Sequence, residues 1–220
     1  MAEVFDELKA MNTKLKQIVS VLAIVLALAT GISAQQNPAK VSQLRVIKFH
    51  GDMAALLATL AQEYDVTIGL EADPKKPRSE VTLDLRDVTF HDMLNGIVQS
   101  EPRYQWRESG GCIEVLTVNS GISLMDTPIS SFQVKDVSRE EAIKELLSLP
   151  EVQAIAMSMN LSRRATGNPP AGAGERKVSL NLNAVTLRQA LNRIIEQSGS
   201  RFWLFRTYPD GSFSVGTSTD

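Results

Sequence analysis

The sequence predicts an α+β protein built from two tandem copies of one unit. Each copy runs strand, helix, strand, strand, helix, strand, strand. Three observations carry this. VTLDLRDVTFHDMLNGIVQSEPRYQWR, starting at Val81, aligns without a gap on VSLNLNAVTLRQALNRIIEQSGSRFWL, starting at Val178, and 9 of 27 positions are identical. The identities include Val81, Leu83, Leu85, Thr89, Leu94, Asn95 and Trp106, matched by Val178, Leu180, Leu182, Thr186, Leu191, Asn192 and Trp203. Similarity of this density at a fixed offset marks a repeated structural unit. Within each copy, apolar alternation of period two gives way to a helical stripe, and Gly, Pro and Asp then mark turns.

The elements follow in order. VIKFHG opens the first copy as a strand. DMAALLATLAQEYD is a helix with Met53, Leu56, Leu57, Leu60 and Ala61 on one face, and VTIGLEA is the next strand. Val81, Leu83 and Leu85 then alternate with Thr82, Asp84 and Arg86, which gives a strand with one buried face. Thr89 caps a helix whose stripe is Phe90, Met93, Leu94, Ile97 and Val98, with Asp92 completing a capping box. The helix ends at Ser100 and Glu101-Pro102. YQW, a turn at Gly110-Gly111 and CIEVLT close the copy as a hairpin.

In the second copy FQVKDV is a strand. SREEAIKELLSL is a helix started by a Ser138–Glu141 capping box, with Ala142, Ile143, Leu146 and Leu147 inward. VQAIAMSMN reads as the strand after it. The repeated strand and helix follow, with Thr186 as cap and Gln189 in place of Asp92, and Ser198-Gly199 ends that helix. FWLF, a Pro209-Asp210-Gly211 turn and SFSVGT form the last hairpin. The copies span residues 43–118 and 129–218, joined by a linker at 119–128. The second carries a polar insertion at 160–177, rich in Gly, Pro and Arg, expected to be flexible.

The chain has 220 residues, with 23 Lys+Arg against 25 Asp+Glu and a single Cys. A net charge of −2 and 5% aromatics argue against a dedicated nucleic-acid binder. One Cys excludes an intramolecular disulfide framework and a Cys-based zinc knuckle. Residues 18–34, IVSVLAIVLALATGISA, carry no charge and follow Lys14 and Lys16. A cationic start, an apolar stretch and small residues at the exit make a secretory signal, with a cut expected after Ala34. The alternative is an uncleaved membrane anchor, although the run is slightly short of the ~20 residues a bilayer span needs. Both readings place the remainder in the periplasm. Cys112, in a strand, is expected to be a buried inert thiol.

No catalytic or cofactor-binding set stands out. A metal centre would need His50 and His91 together with Asp52 or Asp92; the residues read better as surface and cap-side histidines. Asp84 and Asp87 fall on a polar strand face and its loop, not across a cleft as paired carboxylates require. AGAGER lacks the phosphate-loop pattern. Trp106 and Trp203 hold equivalent positions and read as core or sheet-face packing. Arg163, Arg164, Arg176 and Lys177 flank the insertion and form a candidate basic loop for acidic partners.

The stretches LLATLAQEYDVTI, VTLDLRDVTFHDML and VSLNLNAVTLRQAL resemble the short N-terminal domain of secretins and TonB-dependent receptors (the STN domain). The resemblance covers most of residues 43–218, as two tandem copies, and rests on core positions. It implies the fold of that domain and a role in protein–protein contact in the envelope, as an accessory or truncated part of a secretin-type secretion or pilus machine or of a TonB-dependent outer-membrane assembly. It implies no enzyme activity and no cofactor. An open sheet edge that accepts a partner's strand is expected, with the last strand around Ser214 as its place. The alternatives are an envelope ligand- or peptidoglycan-binding protein, which needs a pocket between the copies, and a hydrolase.

Overall fold

The computed structural model describes residues 45–76, 78–118, 121, 123–164 and 176–217. The expected signal segment, 1–34, and the centre of the expected insertion, 165–175, lie outside the described residues. Among the described residues no helix is long and apolar enough to cross a membrane.

Helix starts are fixed by local chemistry. Strand β1 (Arg45–Asp52) runs into α1 (Met53–Tyr64), where Asp52 Oδ1 accepts the Ala54 amide at 2.7 Å. β2 (Thr67–Glu71) and β3 (Glu80–Val88) follow. Then comes α2 (Phe90–Ser100), which begins with the Thr89–Asp92 capping box. β4 (Tyr104–Ser109) and β5 (Cys112–Thr117) make the hairpin. After a short 3-10 turn at Leu124–Asp126 come β6 (Pro128–Val137) and α3 (Arg139–Leu147), started by the Ser138–Glu141 box. α4 (Pro150–Ser158) and the two-residue β7 (Ser162–Arg163) precede β8 (Val178–Thr186). α5 (Leu187–Ser198) opens with the Thr186–Gln189 box, and β9 (Phe202–Thr207) and β10 (Ser212–Thr217) finish the described chain. The protein is thus α+β.

One expected strand is a helix: VQAIAMSMN forms most of α4. Pro150 occupies its first turn, where a fixed φ favours the helix and the missing N–H costs nothing. Val152 and Ala156, four apart, are buried, while Ala154 is exposed. The apparent alternation of Val152, Ala154 and Ala156 is therefore the inner stripe of a helix interrupted by a surface alanine. The second half departs from the expected element order at this point, and its strand at that place shrinks to β7.

The strands form two separate antiparallel ribbons, β1–β3 and β6–β8, and one six-stranded sheet ordered β4-β5-β2-β9-β10-β7. In that sheet β5 and β2 are parallel, β2 and β9 are parallel, and β10 and β7 are parallel; both hairpins are antiparallel. Strands from residues 67–117 and from 162–217 therefore share one sheet, joined by β2 and β9.

Alternation along the strands sends side chains to two cores. Ile68, Leu70, Ile113, Val115 and Phe202 lie in the core with α1 and α2. Trp203, Phe205 and Phe213 lie in the core with α3 and α5. The helices of the two halves thus cover opposite faces of the sheet. β2 is buried on both faces, and β5 along all but its last residue, which explains why TIGLE and CIEVLT read as nearly continuous runs.

Candidate functional site

The sheet has one long edge without a partner strand among the described residues, that of β4. The Arg103 carbonyl accepts from the Val118 amide at 2.7 Å, so odd-numbered residues of β4 point their backbone groups at β5. Trp106 and Glu108 then turn their N–H and C=O groups outward, by the alternation of an antiparallel ladder, while the Tyr104 N–H donates to the Glu101 carbonyl at 3.0 Å. Trp106 is half-buried, and its indole Nε1 donates to Asn95 Oδ1 at 3.0 Å. The His91 ring lies beside it, with ring centroids 5.4 Å apart.

The second half repeats this arrangement with the edge filled. Trp203 Nε1 donates to Asn192 Oδ1 at 2.7 Å, and the indole is fully buried. β2 lies against it, with Gly69 opposite Trp203 in the register. A Cβ on Gly69 would stand 2.2 Å from the indole Cζ2, so only glycine fits beneath the ring.

A buried charged seam crosses the sheet where the halves meet. Arg188, on the first turn of α5, forms an ion pair with Glu71 of β2, sits 3.0 Å from Asp126 and 3.8 Å from Glu114 of β5. Arg107 pairs with Glu114 at 2.7 Å, and the Ser123 hydroxyl donates to Glu71 Oε2 at 2.7 Å. The Glu114 side chain is 1% exposed and that of Arg188 4%. Burial pushes the Glu71 carboxyl above the usual carboxylate range, outweighing the pull of Arg188 and of Ser123. None of these residues stood out as a site in the sequence. The signal was there: a glutamate inside each of two otherwise apolar strands, which needs a partner if the strand is buried.

Beside the seam is a cleft of about 690 Å³, lined by Glu71, Lys75, Arg103, Ser123, Met159 and Phe205 among others. Arg103 is held by Glu101 at 2.7 Å and by Asp73 at 2.5 Å. The hydrogen bonds from Arg103 keep the Glu101 carboxyl below its usual range.

The residues singled out from sequence take separate places. His50 Nδ1 is 2.9 Å from Thr82 Oγ1, on the β1–β3 ribbon, whereas His91 stacks on Trp106. Among the described residues no three His, Cys, Asp or Glu side chains are placed to hold a metal. Cys112 is buried and donates to Glu196 Oε1 at 3.1 Å; burial, chiefly, drives its thiol well above the ordinary range. The four basic residues have individual neighbours. Arg163 donates to the Lys144 carbonyl at 3.4 Å, Arg164 lies 4.5 Å over the Tyr208 ring and 3.8 Å from Asp210, and Arg176 passes Gly199. Lys177 is among the charges that lower the Glu141 carboxyl. β7 covers the outer edge of β10 only at Ser212 and Phe213, but Ser214 does not face that edge. Tyr208 donates to the Ser212 carbonyl at 2.8 Å, so Ser212, Ser214 and Gly216 direct their backbone groups at β9.

No protein-family model matches the chain, and no curated protein matches it.

Proposed function

We propose that this protein is a non-enzymatic protein–protein interaction module of the bacterial envelope, exported to the periplasm and composed of two tandem units of the STN kind. On this reading it serves a secretin-type or TonB-dependent assembly as an accessory or truncated component. One observation supports the tandem reading above the rest. The hydrogen-bonded Trp–Asn pair recurs with the same spacing of 11 residues, Asn95 with Trp106 and Asn192 with Trp203. Two further correspondences agree with it. Asp87 and Ala184, aligned by the repeat, both have φ near +50°, at 52° and 51°. The strand order β4-β5-β2 is also matched element for element by β9-β10-β7. The interaction role is supported by the β4 edge, which has no partner strand among the described residues, since an open edge binds an extended partner through main-chain hydrogen bonds.

The test is a cross-linking pull-down from envelope extracts with residues 35–220 as bait. Reproducible capture of a secretion or receptor component is the expected result. Hydrolysis of generic esters or peptides by the purified protein, abolished by one point substitution, would refute the non-enzymatic reading. The cleft of about 690 Å³ beside Glu71, Ser123 and Arg103 favours one second reading, an envelope ligand-binding protein for small polar molecules such as peptidoglycan fragments. Saturable binding of a muropeptide, lost on filling the cleft at Gly121 with tryptophan, is its signature.

A further inference from the structure

The β2–β9 contact is an internal template for what the β4 edge accepts. β9 and β4 are the same strand of each half, and each holds its tryptophan with an asparagine of the helix that precedes it. The outer edge of β9 is filled by a parallel strand with glycine under the indole. The outer edge of β4 presents the same indole with no strand beneath it among the described residues. We propose that β4 binds a single extended peptide segment of a partner protein, parallel to β4, with a glycine placed opposite Trp106. This rests on the interaction reading above and specifies its site and ligand.

The other face of β4 decides between a lone segment and a second copy of this chain. On β9 that face carries Phe202 and Leu204, packed against the first core. The aligned residues of β4 are Gln105 and Arg107, both exposed, with Arg107 tied to Glu114. A second copy docked as the two halves dock would bury these polar groups under apolar helix surface, at a cost no contact repays. A lone strand brings no such layer and leaves them in water. The template also sets the chemistry two residues beyond the glycine. There β2 places Glu71 opposite Phe205, but β4 has Glu108 at that position. A carboxylate would face Glu108, so lysine or arginine is favoured.

The probe is a fluorescein-labelled, end-capped peptide Val-Thr-Ile-Gly-Leu-Lys-Ala, titrated by fluorescence anisotropy into the full chain in detergent. Binding is expected, and three changes should each weaken it about tenfold or more, the equivalent of roughly 1.4 kcal/mol. One is Glu108→Pro, which removes an outward N–H and leaves the β5 ladder intact. The second is a peptide with valine for glycine, which tests the site without altering the protein. The third is a peptide with glutamate for lysine. Circular dichroism checks that the Glu108→Pro variant is folded. Equal affinity for the glycine and valine peptides overturns the proposal, as does binding unaffected by Glu108→Pro in the folded variant. No binding at about millimolar peptide overturns it too. Sedimentation that shows a dimer lost in Glu108→Pro overturns it in favour of a second copy. If pull-down partners persist with Glu108→Pro, this inference fails while the interaction reading stands.

Discussion

Glu71 and Glu101 are both buried beside an arginine, yet their acidities move in opposite directions. Glu101 accepts two hydrogen bonds from Arg103, at 2.8 and 2.7 Å, which hold its carboxyl below the ordinary value of 4.5. Its contribution to stability is present above that value and is lost as pH falls toward the depressed one. Glu71 lies deeper, and desolvation raises it above 4.5. A raised acid binds its proton more tightly when folded, so its contribution is complete at low pH and declines as pH rises through the interval above 4.5. Urea unfolding across a pH series separates the two. Arg103→Met should lose about 1–2 kcal/mol at neutral pH, discounted for the partial exposure of Arg103, and the loss should shrink below the carboxylate range. Glu71→Gln should flatten the decline on the alkaline side of that range. A constant deficit for Arg103→Met at every pH would show that Glu101 is not its operative partner.

Among the elements, the two strand–helix pairs that carry Trp106 and Trp203 are alike in sequence and differ in burial. Replacing Asn192 with leucine strands an indole N–H in the core, a cost of about 1–3 kcal/mol. Replacing Asn95 removes the same bond from a half-exposed ring where water takes over, and should cost under about 1 kcal/mol. Chemical unfolding of both variants checks this, and equal losses would count against the difference in burial. Those identities were visible in the sequence as paired residues, but not as bonded partners. The elements most legible were those decided within a few residues. All three capping boxes, at Thr89, Ser138 and Thr186, are formed as read. α4 was misread because a nine-residue run with apolar residues at 152, 154 and 156 fits both periods, and only tertiary burial separates them. The seam and the β2–β9 pairing were illegible for a different reason. Arg188 lies 117 residues from Glu71 and 74 from Glu114, and nothing local in TIGLE or FWLF says which edges will join. Ser214 shows the same limit: being last in sequence does not make β10 last in the sheet.

At the scale of the whole molecule, the strand order is kept from one half to the other while strand direction is reversed. β5 and β10 therefore point oppositely, and the helices change faces. Neither half completes its own surroundings. Phe202 belongs to the core of the first half although β9 follows α5, and Arg188 of α5 neutralises Glu71 and Glu114 of the first. Separation would expose Phe202 and part Glu71 from Arg188, while Glu114 keeps Arg107. The described region should therefore unfold as one cooperative unit. The tryptophans allow a direct check, because Trp106 reports on the first half and Trp203 on the second. Trp106→Phe and Trp203→Phe each leave one fluorophore. In each variant the fluorescence midpoint in urea should coincide with that from far-ultraviolet circular dichroism. Arg188→Met should lower the midpoint by the equivalent of about 3–5 kcal/mol, since it leaves Glu71 buried without its cation, while Glu114 keeps Arg107. It should do so without dividing the transition. A fluorescence change that runs ahead of the dichroism in either single-tryptophan variant would mean that the halves melt separately. The continuous sheet would then be a contact between independent domains, not the backbone of one.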